Sequence, residues 1–122
     1  MYKRQLQLRA TEEISRSQRH RKGVICMSLW APTEHDMASL SARLQKGLRD
    51  HDLAACLNNG HFVVLLTETD AKGAAIVLER MIKDIKRLSG GFAAFPADGA
   101  TFEELLACAK QRAGAVEFED VA

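Results

Sequence analysis

Arg49-Asp50-His51-Asp52-Leu53-Ala54-Ala55-Cys56-Leu57-Asn58-Asn59-Gly60-His61-Phe62 reads as a helix end, a short strand, a tight turn and the start of a second strand. Asn58-Asn59-Gly60 is a strong hairpin signal, because all three residue types tolerate positive φ. Phe62-Val63-Val64-Leu65-Leu66 is apolar and partly β-branched, which suits a buried strand. The turn carries amides, a glycine and His61 but no carboxylate, and an Arg49-x-x-Asp52 pair stands just upstream.

Outward from this hairpin, helices and strands alternate. Residues 2 to about 20 place Leu6, Ala10 and Ile14 at helical spacing, with Glu12 and Glu13 in reach of Arg16. The segment is basic, carrying Lys3, Arg4, Arg9, Arg16, Arg19, Arg21 and Lys22. Few aromatics interleave these charges, which favours a solvated connecting helix over a lipid or nucleic-acid contact. Val24–Trp30 is a nearly continuous apolar run and is predicted as a central strand covered on both faces. Thr33 is the expected N-cap of the next helix, with Glu34 and Asp36 in its first turn. Met37, Leu40, Leu44 and Leu48 form that helix's apolar stripe.

Beyond the hairpin, Thr69 or Asp70 is expected to cap a helix running to about Leu88. Ala74, Leu78, Met81, Ile85 and Leu88 lie on its inner side, with Lys72, Glu79, Lys83 and Lys86 away from it. Ser89-Gly90-Gly91 is read as a break, Phe92–Phe95 as a short strand and Asp98-Gly99 as a turn. Thr101 and Glu104 form a capping box for the last helix, packed through Leu105, Leu106 and Ala109. Val116 and Phe118 are candidates for a short edge strand. A mixed sheet with helices packed on it follows.

Composition narrows the function classes. The chain has 122 residues, 47% hydrophobic and 27% charged, with a net charge of +1. That describes one domain and argues against a general nucleic-acid binder. Three well-separated cysteines without a C-x-x-C predict neither zinc nor disulfides, and buried free thiols are expected. No apolar run approaches the ~20 residues of a membrane span, so a cytoplasmic location is expected, alone or within a larger membrane-associated protein. His35, His51 and His61 lack convergent metal-site spacing and are read as solvated.

The ordered motifs resemble the diguanylate cyclase, or GGDEF, domain. Arg49-Asp50-His51-Asp52 matches its Arg-x-x-Asp, and Phe62–Thr69 its strand and loop. Leu78-Glu79-Arg80 lies in its helix, Phe95-Pro96-Ala97-Asp98-Gly99 at its turn, and Glu103-Glu104-Leu105 in its last helix. The resemblance implies an α/β fold with a ferredoxin-like core, a mixed, largely antiparallel sheet flanked by helices. It places a basic connecting helix at 1–22 and a degenerate GGDEF domain at 23–122.

The signature positions read Asn58-Asn59-Gly60-His61-Phe62, so only the phenylalanine matches. Active members hold magnesium through acids at the signature and near the end of the first strand, chemistry that needs oxygen ligands. No Asp or Glu lies between Glu13 and Glu34, and the family's GTP-recognition segment before the Arg-x-x-Asp is absent. The expectation is therefore no enzyme, no catalytic residue, no metal and no cofactor. The retained Arg49 and Asp52, with Arg80, are the candidate ligand site for cyclic di-GMP. A guanidinium matches the guanine O6/N7 edge and a carboxylate can accept from N1 and N2. An ordinary surface salt bridge explains the pair equally well. The implied role is a receptor regulating a partner protein, as in degenerate GGDEF modules of bacterial exopolysaccharide synthesis or secretion. The alternative is a nucleotide-independent interaction or dimerisation module. A protein partner or homodimer is expected either way.

Overall fold

The computed structural model describes residues 3–20, 23–58, 60–85 and 87–113. Arg21, Lys22, Asn59, Lys86 and the suggested edge strand at Val116 and Phe118 lie outside these. The elements are α1 (Lys3–His20), β1 (Val24–Trp30), α2 (Glu34–Gly47), β2 (Leu53–Asn58), β3 (His61–Thr67), α3 (Ala71–Asp84), β4 (Ser89–Phe95) and α4 (Phe102–Ala113). The strands form one sheet in the order β2-β3-β1-β4, and each of its three pairings is antiparallel. From β1 to β4 the chain follows β-α-β-β-α-β, with α1 added before it and α4 after.

The strand run Val24–Trp30 is buried along its whole length, as its composition predicts. Side chains alternate across a sheet, so Val24 and Cys26 enter one core while Ile25, Met27 and Leu29 enter the other. The first core is closed by α1 and α4, through Leu6, Ala10, Ile14, Phe102, Leu105 and Ala109. The second is closed by α2 and α3, through Leu40, Leu44, Ala74 and Met81. A fully buried leucine or isoleucine contributes about 1.5–3 kcal/mol, so Leu6 and Ile14 together rival a large part of a domain's net stability. The apolar stripe of α1 thus packs into the core that residues 23–113 build, while Arg4, Arg9 and Arg16 are exposed.

Local signals act as the sequence implies. Thr33 Oγ1 accepts from the Asp36 N–H at 3.1 Å, and Asp70 Oδ1 from the Gly73 N–H at 2.8 Å. Thr101 and Glu104 close a reciprocal capping box, both bonds at 3.2 Å. Two boundaries differ. The helix expected to reach Leu88 ends at Asp84, where Ile85 turns to an extended conformation (φ −123°, ψ 101°). Ile85 and Leu88 stay buried because the turn points them at the same core. Ser89-Gly90-Gly91 belongs to β4 and is no break. A Cβ at Gly91 would lie 2.5 Å from the Ala113 nitrogen and 2.6 Å from the Ala109 oxygen, so the glycine lets α4 rest directly on the strand.

Candidate functional site

The Arg49-x-x-Asp52 turn joins the end of α2 to the end of β3. Asp52 is the pin: its side chain is 3% exposed. Its Oδ1 accepts from the Thr67 N–H at 3.1 Å, and its Oδ2 accepts from the Arg49 N–H at 3.1 Å and from Arg49 Nε at 3.3 Å. A carboxylate offers about four acceptor directions, so these three bonds use most of them. Arg49 Nη2 donates to the Thr67 carbonyl at 2.7 Å and to Thr69 Oγ1 at 2.8 Å. The arginine side chain is 52% exposed, and among the described residues its Nη1 edge makes no bond. The pair is therefore asymmetric. Asp52 faces the fold and holds Arg49, and Arg49 faces outward.

Beside this turn a groove of about 890 Å³ opens between α2 and α3, lined by Arg43, Arg49, Asp52 and Arg80. All three residues of the sequence-derived candidate site meet there. Arg43 carried no sequence signal; in the structure it bridges the helices by an ion pair to Asp84 at 3.2 Å. Leu48, Val64, Leu66, Val77 and Met81 give the groove an apolar lining, while Glu68 and Asp70 add negative charge to its rim. Glu68 has φ +53°, a left-handed conformation unusual for a side chain of its size. Gly23 is also at the rim, where a Cβ would fall 2.4 Å from the Thr69 oxygen. The groove can offer guanidinium donors over an apolar surface, a combination suited to a flat, anionic ligand.

His51 is solvated, with its side chain 41% exposed, and is bonded as well: Nδ1 meets Thr67 Oγ1, and Nε2 lies 3.9 Å from Glu68. His61 departs furthest from its expected solvation. It is 2% exposed, stacked on Trp30 with centroids 3.9 Å apart and planes 3° from parallel, and bonded through Nε2 to Ser28 Oγ at 2.8 Å. The cause is register: β3 pairs His61 with Trp30 and Val63 with Ser28, so the first residue after the turn belongs to the sheet. Gly60 makes that turn possible. Its φ is +89°, its carbonyl accepts from the Ala31 N–H at 2.9 Å, and a Cβ would lie 2.1 Å from the Ala31 oxygen. His35 is exposed as expected. Among the described residues no cluster of His, Cys, Asp or Glu has metal-site geometry.

Of the cysteines, Cys26 is buried, and burial pushes its thiol up to about 12. Cys108 is half-buried. The expectation of buried thiols fails at Cys56, which is exposed on the edge strand β2. Arg112 is another residue whose role has no sequence signal. It makes two 2.9 Å bonds to Asp98 and one of 3.0 Å to the Phe92 carbonyl. Its hydrogen bonds, followed by one from the Ala94 N–H, hold the Asp98 carboxyl below its ordinary value.

Comparison with solved structures places the fold. A sensory box/GGDEF family protein from Caulobacter crescentus superposes with TM-score 0.79 at 21% identity, covering 98% of this chain and 94% of that one. The active GGEEF domain of a diguanylate cyclase from Vibrio cholerae gives TM-score 0.80 at 14% identity, covering 95% and 90%. This chain has the GGDEF fold. The GGDEF domain of DgcB from Caulobacter crescentus, solved in complex with c-di-GMP, gives 0.76 at 11% identity, covering 98% and 84%. No protein-family model matches the chain, and no curated protein matches it.

The GGDEF comparison corrects one expectation. The residues at the hairpin tip implied that the chain is not an enzyme; its structural neighbours include diguanylate cyclases, so that expectation does not stand. Counting missing carboxylates at a hairpin tip identifies absent side chains, and that count does not measure turnover by the whole fold. Among the described residues no helix is long and apolar enough to cross a membrane.

Proposed function

We propose that this GGDEF-fold chain binds cyclic di-GMP in the groove between α2 and α3 and thereby regulates a partner protein. The observation that carries the reading is the convergence of Arg43, Arg49 and Arg80 on one groove with an apolar lining. The outward edge of Arg49 suits the O6/N7 edge of a guanine, and a guanidinium on the facing helix suits a phosphate or the second guanine. Asp52, Thr67 and Thr69 already orient Arg49, so little side-chain ordering remains to oppose binding. Asp52 enters chiefly as the positioning residue of Arg49, because its own acceptor directions are mostly taken. The DgcB complex with c-di-GMP supports the ligand class on this fold. The regulated process implied by the sequence resemblance is bacterial exopolysaccharide synthesis or secretion.

Calorimetric titration with cyclic di-GMP tests the reading. Micromolar affinity, about −8 kcal/mol, is expected. Arg49→Ala and Arg80→Ala should each weaken it about tenfold or more, the loss of one charge-assisted contact. Absence of heat at about 100 µM ligand would refute it. A nucleotide-independent interaction module is the second reading, and the exposed Ile76, Val77 and Ile82 of α3 favour it. A partner that binds equally well with and without the nucleotide would select that reading. Incubation with GTP and magnesium, followed by product analysis, measures turnover separately.

A further inference from the structure

The two edges of the sheet differ in how their backbone is protected. At β4, the outward groups of Ala94 are both taken by Asp98: its N–H donates to Oδ2 at 2.8 Å, and its carbonyl accepts from the Asp98 N–H at 2.8 Å. Two residues earlier the Phe92 carbonyl accepts from Arg112, which is itself clamped to Asp98. A foreign strand would need these same groups, so the Arg112–Asp98 pair closes this edge.

At the other edge, β2 reads Leu53-Ala54-Ala55-Cys56-Leu57-Asn58, with no charge and no proline. Among the described residues, no side chain or loop bonds the outer backbone of Leu53–Leu57. Edges are ordinarily guarded by lysine, proline, a covering segment or strong twist, and the irregularity between Cys56 and Asn58 disturbs only the end of this one. Its exposed Cys56 is uncharged and small.

We infer that β2 pairs with β2 of a second copy of this chain, antiparallel about a two-fold axis, to make a continuous eight-stranded sheet. The distribution of charge argues for this occupant. Arg49, Asp50 and Asp52 all precede the strand, whereas Asn58 ends it and Gly60 follows. Antiparallel self-pairing therefore sets each charged end beside the partner's uncharged end, and no like charges meet. The small side chains of the half-buried Ala54 and the exposed Cys56 leave the outer edge of the strand open for the ladder that only another strand can complete, while Ala55 packs into the core. The interface is two-fold and self-complementary, the form that closes as a dimer.

Sedimentation equilibrium of the full chain over increasing concentration, with hydrogen exchange at both ends of the range, tests the pairing. The wild type should dimerise, with alternate amides of β2, those facing away from β3, gaining protection in the dimer. Cys56→Lys, at an exposed site that the fold tolerates, should weaken association about tenfold or more by placing like charges near one another across the seam. Cys56→Ser should leave it intact. In a Cys108→Ser background a short bismaleimide should join two chains through Cys56. A chain that remains monomeric overturns the inference, as does a dimer unaffected by the lysine. Protection of β2 that appears only with a different protein also overturns it, since the occupant would then be that protein's strand.

Discussion

Asp52→Ala separates a residue that holds the fold from Arg49, the one proposed to hold a ligand. The substitution removes the acceptor for the buried Thr67 N–H and for the Arg49 N–H, together with the Arg49 Nε contact. An orphaned buried N–H costs about 1–3 kcal/mol. The Arg49 N–H is partly exposed and recovers much of its bonding from water, and the ion pair to a half-exposed arginine is worth at most about 1 kcal/mol. The total is about 2–4 kcal/mol, a melting shift of roughly 6–20 °C for a domain of this size. Arg49→Ala leaves both N–H groups on Asp52 and should cost about 1 kcal/mol or less. Thermal and urea unfolding of the two variants without ligand provide the assay. Equal destabilisation, or a loss below about 0.5 kcal/mol for Asp52→Ala, would refute the assignment of Asp52 as the pin.

His61→Ala should destabilise by about 2–4 kcal/mol through lost stacking and an orphaned Ser28 hydroxyl, and the emission of Trp30, the single tryptophan, should move to the red as its ring becomes wet. Gly91→Ala should loosen α4 because its Cβ meets helix backbone, seen as faster amide exchange at Ala109–Ala113; unchanged exchange would contradict the close-contact account. Arg112→Ala should reduce stability at neutral pH and expose the β4 edge, raising aggregation. Asp98 has a depressed folded-state value, so its stabilisation is fully present above the ordinary 3.8 and lost as pH falls through the folded-state value. The gap between wild type and Arg112→Ala should therefore hold constant at higher pH and narrow in acid; a pH-independent gap would contradict it.

Much of the architecture was legible because it is written in short-range patterns. The seven-residue apolar run of β1, the Thr101/Glu104 capping box and the spacing of Leu6, Ala10 and Ile14 each act within a few residues. The convergence of Arg49, Asp52 and Arg80 was legible only through the ordered motifs, since nothing local links α3 to the end of α2. The inward turn of His61 depends on strand register with Trp30, which polarity at a hairpin tip conceals. Arg112 reaches Asp98 across the sheet edge, and Gly90-Gly91 resemble a break until α4 and its neighbours are in place. Those features depend on tertiary proximity. The expectation of no enzyme failed for a different reason, because the side chains missing from Asn58 to His61 say what the tip lacks and not what the fold does.

The central claim is that the arginine-rimmed groove binds cyclic di-GMP, and calorimetry on the folded wild type beside Arg80→Ala tests it most directly. Arg80 is exposed and makes no bond to the fold among the described residues, so its removal should leave the melting temperature unchanged. Micromolar binding is expected for the wild type, with an affinity about tenfold or more weaker in the variant. No binding by the wild type, or equal affinity in both proteins, would contradict it.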